Sequence, residues 1–217
     1  MQLLVNRAMV GVRRVTEGGR KYLVAPAVMI VPGVLDGSKG ALYYPDDETA
    51  KSASSWNNTP IVVYHPTDES GNFISARSPG VLDKSGVGVV RNSIHDGKLR
   101  AEAWFDEDRT KRIDPRVYSA LIANRPLEIS TGLHTDNHPS PGEHNGIPYT
   151  HIARNYRPDH LAILPDQIGA CSVRAGCGLM VNCACESPKS LKKLSSALVK
   201  ASYEPVASRL TKPSTRS

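Results

Sequence analysis

The distribution of apolar residues along the chain predicts many short strands separated by turns. Alternating apolar positions flank a Glu-Gly-Gly-Arg turn at residues 17–20, which predicts a hairpin over residues 11–30. Other apolar segments are bounded by Gly, Pro, Asn and Asp, the residues that favour turns. The remaining predicted strands lie at residues 41–44, 60–66, 87–92, 99–105, 127–134, 149–156, 160–164 and 173–181, and the predicted loops at residues 67–80 and 135–148.

Two segments carry signals for the start of a helix. Three acidic residues follow Pro45, which predicts the first turn of a helix whose body is residues 50–56. Asp114 followed by Pro115 supplies an N-cap and a first-turn proline, which predicts a second helix ending near Asn124. Because strands and helices do not alternate regularly, we expect no doubly wound parallel sheet. The pattern predicts an α+β fold, with a mostly antiparallel sheet or barrel and flanking helices.

The charge of the chain changes this picture by its position rather than its size. The 217 residues include 27 basic and 21 acidic side chains, a net charge of +6 that first suggests a nucleic-acid binder. After Glu186, however, seven basic residues accompany one acid, whereas residues 1–186 contain 20 of each sign. The chain is therefore predicted to consist of a neutral folded domain, residues 1–181, and a basic tail, residues 182–217. This distribution argues against nucleic acid as a partner.

The cysteines and the apolar segments exclude further classes. No segment approaches the ~20 apolar residues of a membrane-spanning helix, so no membrane partner is expected. The N-terminal segment does not have the layout of a signal peptide, which favours reduced thiols. Cys171, Cys177, Cys183 and Cys185 lie too close together in sequence to staple a domain of this size. Their spacing does not match a paired zinc motif, so we predict no metal and no other cofactor.

Three residues at strand positions could together perform nucleophilic catalysis. His65 ends an apolar segment and is followed by a proline, and His160 opens another apolar segment. In the strand between them, alternation puts Glu128, Ser130 and Gly132 on one face. A serine needs an imidazole to take its proton, and that imidazole needs a third group to fix its tautomer. The chain contains seven histidines, so the residues alone leave other sets open.

The order and spacing of three motifs resemble the prohead maturation proteases of tailed bacteriophages. The motifs are Val-Val-Tyr-His-Pro at His65, Leu-Glu-Ile-Ser-Thr-Gly at Ser130 and Asp-His-Leu-Ala-Ile-Leu-Pro at His160, with gaps of 65 and 30 residues. Those proteases are similar to the herpesvirus assemblins, which use a Ser-His-His triad in the same order. The likeness covers residues 10–180.

The resemblance implies a serine endopeptidase on an assemblin-like β-barrel of about seven strands, ringed by helices. Ser130 would be the nucleophile, His65 the general base and then general acid, and His160 the group that orients His65. A neutral histidine in the third position supplies no fixed negative charge, so we expect a slow enzyme. Glu128 and Asp159 are alternative orienting groups, and Asp68 is another.

In the segment that follows the third motif, this chain departs from the pattern of the proteases that it resembles. Relatives carry an arginine where this chain has Ile168. Backbone N–H groups of Ile168 or Gly169 remain candidates to stabilise an oxyanion. If they do not, the chain would be a catalytically inactive head-assembly protein on the same fold.

The tail, residues 182–217, has its own pattern. Leucines at helical spacing predict a short amphipathic helix, and the Ser/Thr/Pro-rich remainder is predicted to be disordered. Because assemblin-like enzymes often cut between alanine and serine, the resemblance suggests self-processing at Ala201-Ser202 and Ala207-Ser208. The tail also carries the third hypothesis, a DNA-binding accessory protein.

The resemblance further implies where the protein acts and on what. Its substrates would be phage scaffold and major capsid proteins, cleaved inside the prohead in the host cytoplasm. A homodimer is a further expectation, by analogy with assemblins.

Overall fold

The computed structural model describes residues 11–37 and 40–181. Turns with left-handed backbone separate the first strands, as the sequence predicts: Gly18 and Gly19 adopt φ values of 55° and 77°. In chain order, the strands and helices of the described residues are β1 (Arg13–Glu17), β2 (Arg20–Ile30), β3 (Gly33–Gly37), β4 (Gly40–Tyr44), α1 (Asp46–Ser52), a 3₁₀ helix (Ala53–Trp56), β5 (Pro60–Val63), α2 (Val81–Ser85), β6 (Gly86–His95), β7 (Leu99–Asp106), α3 (Glu107–Ile113), α4 (Pro115–Ile122), β8 (Glu128–His144), β9 (Ile147–Leu164), a second 3₁₀ helix (Val173–Ala175) and β10 (Gly178–Leu179).

The strands form an open mixed sheet, and the prediction of a barrel of about seven strands is wrong. The α+β class is confirmed. The strand order is β1-β2-β7-β6-β5-β9-β4-β3, with β8 paired to β9 and β10 paired to β2. Most pairs are antiparallel, but β4 and β5 each pair with β9 in parallel. Between β10 and the start of β8, the described residues make an isolated bridge from Leu127 to Leu179. The ladder therefore does not continue around into a closed barrel.

Strands β8 and β9 form a long antiparallel ribbon where the sequence predicts a loop over residues 135–148. The ribbon turns at Asn145 and Gly146, whose φ values of 52° and 81° suit a two-residue hairpin turn. Much of its outer half is exposed, with Pro139 and Gly142 in strand positions. Without a buried face, that part of the ribbon has no alternation of apolar residues, which explains the wrong prediction.

The two predicted helices are confirmed, and the second shows its predicted cap. The Asp114 carboxylate accepts hydrogen bonds from the backbone N–H groups of Arg116 and Val117. Helices α2 and α3 and strand β3 were not predicted. Helix α3 is mostly charged, and Thr110 is its buried residue, so it lacks an apolar stripe.

A main apolar core lies on one face of the sheet. It includes the fully buried Trp56, Phe105 and Ile129, and helix α4 contributes Val117 and Leu121 to it. Within the described part of the chain, no helix combines the length and apolar character needed to cross a membrane. The predicted division at residue 181 stays a prediction, since the tail lies outside the described residues.

Cys171 and Cys177 form a disulfide, so the expectation of reduced thiols is wrong for this pair. Both residues are buried, and six positions separate them in sequence. In the chain-entropy account, closing so short a loop stabilises the fold by about 2 kcal/mol. The bond holds together the segment that follows β9. Cys183 and Cys185 lie outside the described residues.

Candidate active site

Strand β9 is the element on which the candidate site is built. In the register of β8 and β9, Gly132 lies opposite His160 and Ser130 lies opposite Ala162. Directly paired residues point to the same face of a sheet. Ser130, Gly132 and His160 therefore share one face, as the alternation predicts for Ser130 and Gly132. Ile129 points the other way, into the main core.

His65 reaches the same place from the end of β5, the strand parallel to β9. The backbone N–H of Tyr64 donates to the carbonyl of Ile163 at 3.0 Å, so the chain follows β9 for one residue beyond the strand. Tyr64 then adopts a φ of 61°, a conformation that non-glycine residues rarely adopt and that stores strain. This turn sets His65 beside His160, with His65 Nδ1 lying 2.7 Å from His160 Nε2.

Asp159 lies behind His160 rather than in its place. The distance from His160 Nδ1 to Asp159 Oδ2 is 2.7 Å, and both residues are buried. The carboxylate of Asp159 also accepts hydrogen bonds from the Ser75 hydroxyl and, at 2.8 Å, from the Ala76 N–H. The prediction that Asp159 orients the site in place of His160 is thus replaced by a series: His65, His160, Asp159.

Gly132 leaves the space that the His160 ring occupies. A Cβ atom at position 132 would lie 2.2 Å from His160 Cε1 and 2.4 Å from its Nε2. Real Cβ atoms do not approach ring atoms so closely, so no other residue fits here without moving the histidine. The glycine two residues after Ser130 is therefore needed for the position of His160.

Ser130 lies in the wall of a cleft of about 450 Å³ that His65 and His160 also line. Leu35, Leu42, Tyr44 and Leu133 are among its apolar lining residues. Ser130 and His65 line the same cleft without a hydrogen bond between them. Hydrogen bonds between a nucleophile and its base are often long in free enzymes and shorten when substrate binds.

The cleft thus joins a serine, two histidines in contact and a buried carboxylate. The chain matches no protein-family model, no curated protein and no solved structure. Within residues 11–37 and 40–181, no three His, Cys, Asp or Glu side chains are grouped so that they could hold a metal ion.

Burial keeps both histidines of the site neutral near pH 7. Burial, with a smaller effect of His160, lowers the pKa of His65 to about 4. Burial also lowers the pKa of His160, although Asp159 acts in the opposite direction. For Asp159, burial opposes ionisation, but hydrogen bonds from Ser75, His160 and Ala76 outweigh it and lower the pKa. A neutral His65, in contact with a neutral His160 that is itself held by an ionised Asp159, is the state in which His65 can accept a proton.

These pKa shifts predict that the protein loses stability as the pH falls from about 6.5 to about 4. In that window the unfolded chain binds a proton at His65 and the folded chain does not, so the free energy of unfolding decreases with falling pH. Above pH 6.5 this contribution is fully present. Urea unfolding at several pH values should show a flatter pH dependence for His65→Gln than for wild type. The exposed His138→Gln is the control, and equal slopes for wild type and His65→Gln would contradict the prediction.

The carboxylate of Glu128 contacts the segment after β9, which changes the predicted roles of Glu128 and Gly169, while the role of the Ile168 N–H stays a prediction. Glu128 shares a face with Ser130, but its carboxylate accepts the N–H of Val173 at 3.0 Å and that of Gly169 at 3.4 Å. Glu128 is therefore not an orienting group, and the Gly169 N–H is already engaged. The side chain of Ile168 is 80% exposed. From this segment, Ala170 and Cys171 line the cleft.

An arginine that the sequence did not predict as part of the site holds this segment in place. Arg116 on α4 lies 2.7 Å from Asp166 and 2.7 Å from Asp114, and it donates to the Tyr64 hydroxyl at 2.9 Å. Tyr64 in turn donates to Asp166 at 2.8 Å. This network joins the strained residue before His65 to the segment after β9. No local motif marks Arg116, since its partners lie up to 52 residues away.

Two further histidines and the alternative orienting group Asp68 lie in different surroundings. His134 lines the cleft, where a positive charge on its ring would lower the pKa of His160 further. His151 lies opposite Leu42 in the sheet, and its ring contacts the hydroxyl of Thr150. Asp68 accepts hydrogen bonds from Ser70 and Asn72 within its own loop, so it orients that loop and not His65. The proposed self-processing sites Ala201-Ser202 and Ala207-Ser208 lie outside the described residues.

Proposed function

We propose that the protein is a serine endopeptidase in which Ser130 is the nucleophile and His65 is the general base. The observation that carries this proposal is the 2.7 Å contact between His65 and His160 in the cleft that contains Ser130. A serine that shares a cleft with a neutral imidazole, itself held by another side chain, is the arrangement that acyl transfer requires.

In the first half of the reaction, Ser130 attacks the carbonyl carbon of a peptide bond. Its hydroxyl proton passes to Nε2 of His65, the ring nitrogen not bonded to His160. The tetrahedral oxyanion needs N–H donors, and Ala170 and Cys171 are the residues after β9 that line the cleft. When the intermediate collapses, the C–N bond breaks and His65 gives its proton to the leaving amine.

In the second half, water restores the enzyme. His65 takes a proton from a water molecule, and the hydroxide attacks the ester carbon of the acyl-enzyme. The bond to Ser130 breaks, His65 returns the proton to Ser130, and the carboxylic acid leaves. Neither half requires a cofactor, since every proton moves between substrate, water, Ser130 and His65.

The proposal also includes the substrates of the protein and the place where it acts. The motif order resembles the prohead maturation proteases, and we propose phage scaffold and major capsid proteins as substrates, cleaved inside the prohead in the host cytoplasm. The apolar part of the cleft, with Leu42, Tyr44 and Leu133, suits an aliphatic side chain of such a substrate.

A fluorophosphonate probe tests the enzymatic class without knowledge of the substrate. An active serine displaces fluoride, so intact-mass analysis should show one covalent adduct, and peptide mapping should place it on Ser130. Ser130→Ala should remain unlabelled, whereas Ser119→Ala, a change on the exposed face of α4, should label like wild type. Absence of an adduct on wild-type protein, or equal labelling of Ser130→Ala, would contradict the proposal.

One observation favours a second function, a non-catalytic head-assembly protein on the same fold. The Gly169 N–H, a candidate oxyanion donor, is directed to Glu128. Co-expression with the neighbouring capsid and scaffold genes separates the two functions. Processing that depends on both Ser130 and His65 supports the peptidase, and unchanged processing in Ser130→Ala and His65→Ala supports the non-catalytic protein.

A further inference from the structure

The geometry points to Asp159 as a positioning residue that determines which nitrogen of His65 can accept a proton. This inference rests on the proposed peptidase function and extends it from three residues to a chain of four. Asp159 is 8% exposed, His160 is 5% exposed, and each contact along the chain from Asp159 through His160 to His65 measures 2.7 Å.

The ionised carboxylate of Asp159 can only accept hydrogen bonds. His160 must therefore carry its proton on Nδ1, where it donates to Asp159. In a neutral ring, this leaves His160 Nε2 as an acceptor. His65 must then carry its proton on Nδ1 to donate to His160, and its Nε2 keeps a free electron pair.

Asp159, at the end of this series of side chains, supplies the negative charge that a Ser-His-His set lacks. When Nε2 of His65 takes the proton of Ser130, the ring becomes an imidazolium. A neutral His160 offers it an acceptor but no charge. The carboxylate of Asp159 lies behind His160 in a region of low dielectric, where charge–charge attraction is stronger than in water. The expectation of a slow enzyme, based on a neutral third member, therefore loses its main reason.

Asp159 is itself held on the side away from His160. The Ser75 hydroxyl and the Ala76 N–H both donate to its carboxylate. The loop that carries Ser75 also carries Phe73, whose ring meets the His65 ring edge-on at a centroid distance of 5.7 Å. This loop therefore contacts both ends of the hydrogen-bonded series of side chains, Asp159 at one end and His65 at the other.

The first test reads the tautomers directly and needs no activity. Long-range ¹H–¹⁵N NMR of the full-length protein should show His65 and His160 protonated at Nδ1 in the wild type. Asp159→Ala removes the oxygen that accepts from both His160 Nδ1 and the Ala76 N–H, so a form of His160 protonated at Nε2 should appear, together with a form of His65 protonated at Nε2. Unchanged tautomers of both rings in Asp159→Ala would overturn the inference whether or not the protein hydrolyses peptides.

The second test compares kinetics on any peptide that the wild-type protein cleaves. Asp159→Ala should lower kcat by about 10²- to 10⁴-fold with little change in KM, since a wrong tautomer removes the base and not the binding site. If wild type is active and Asp159→Ala retains kcat within about threefold, the inference is wrong while the peptidase function stands.

Ser75→Ala provides a milder variant in case Asp159→Ala does not fold. It removes one donor to Asp159 and leaves the Ala76 N–H, so we expect a decrease in kcat of about tenfold, the effect of one lost hydrogen bond to a charged group. Ser70→Ala, in the same loop but exposed and without a side-chain contact to Asp159, is the matched control. Equal kcat values for Ser75→Ala and Ser70→Ala would contradict the role of Ser75 in holding Asp159.

Discussion

Replacing Ser130 with alanine is expected to lower kcat for peptide hydrolysis by about 10⁴- to 10⁶-fold, the largest effect of any single substitution in this chain. The change removes the atom that forms the covalent intermediate. It leaves the cleft and the pair of histidines in place, because Ser130 makes no hydrogen bond to either. Substrate affinity should therefore remain close to the wild-type value, and kcat should carry the loss.

A double substitution makes this prediction sharper. Residues that act as one catalytic unit are strongly non-additive, so Ser130→Ala combined with His65→Ala should be no slower than Ser130→Ala alone. The measurement is single-turnover cleavage of a peptide found with wild-type protein. Ser119→Ala should behave like wild type. Losses that multiply in the double variant would show that Ser130 and His65 act separately and would contradict the proposed mechanism.

Replacing Gly132 with alanine is expected to lower activity by about 100-fold or more, although position 132 takes no part in the chemistry. The added Cβ would lie 2.2 Å from His160 Cε1, so the ring must move and its contact with His65 must lengthen or break. A shift of about 1 Å in a catalytic group costs about two orders of magnitude in rate. Because Ser130 itself is unchanged, the fluorophosphonate probe should label Gly132→Ala slowly rather than not at all.

Gly142→Ala is the matched control for this substitution. It adds the same Cβ to the same strand, but at the outer part of the ribbon, where the Cβ would meet the hydroxyl end of the Tyr149 side chain. That side chain can move aside, and His160 is not affected. We expect near-normal rates for Gly142→Ala. Similar rates for Gly132→Ala and wild type would show that His160 need not hold its position, which would contradict the site as described.

The parts of the fold predicted from the sequence are those with local signals. The hairpin around Gly18 and Gly19, the Asp114 cap and the strand that carries Ser130 each depend on residues a few positions apart. The parallel pairing of β4 and β5 with β9 has no such signal, and neither has the isolated bridge between Leu127 and Leu179 where the sheet stays open. The outer ribbon lacks a buried face, so no alternation predicts it. The disulfide runs against the prediction of reduced thiols, which rested on the N-terminal segment and not on the surroundings of the cysteines.

In the candidate site, too, the residues with local motifs were predicted and the contacts between distant residues were not. His65, Ser130 and His160 were identified from their motifs, and the structure places all three in one cleft. The role of Asp159 behind His160 and the support of Ser75 could not be predicted, since Ser75 and Asp159 are 84 residues apart in sequence. Glu128 shares the predicted face with Ser130 but contacts backbone N–H groups after β9, a choice that alternation alone does not determine.

The position of β9 in the sheet has a consequence for the order of events during synthesis. His65 and His160 are 95 residues apart, and their contact depends on parallel pairing between β5 and β9, which a hairpin cannot nucleate. Such long-range pairing forms late and slowly in folding. A nascent chain therefore contains Ser130 for some time before β9 has placed His160 against His65. Under the proposed peptidase function, the chain would gain activity only after residue 160 has been synthesised and β9 has paired with β5.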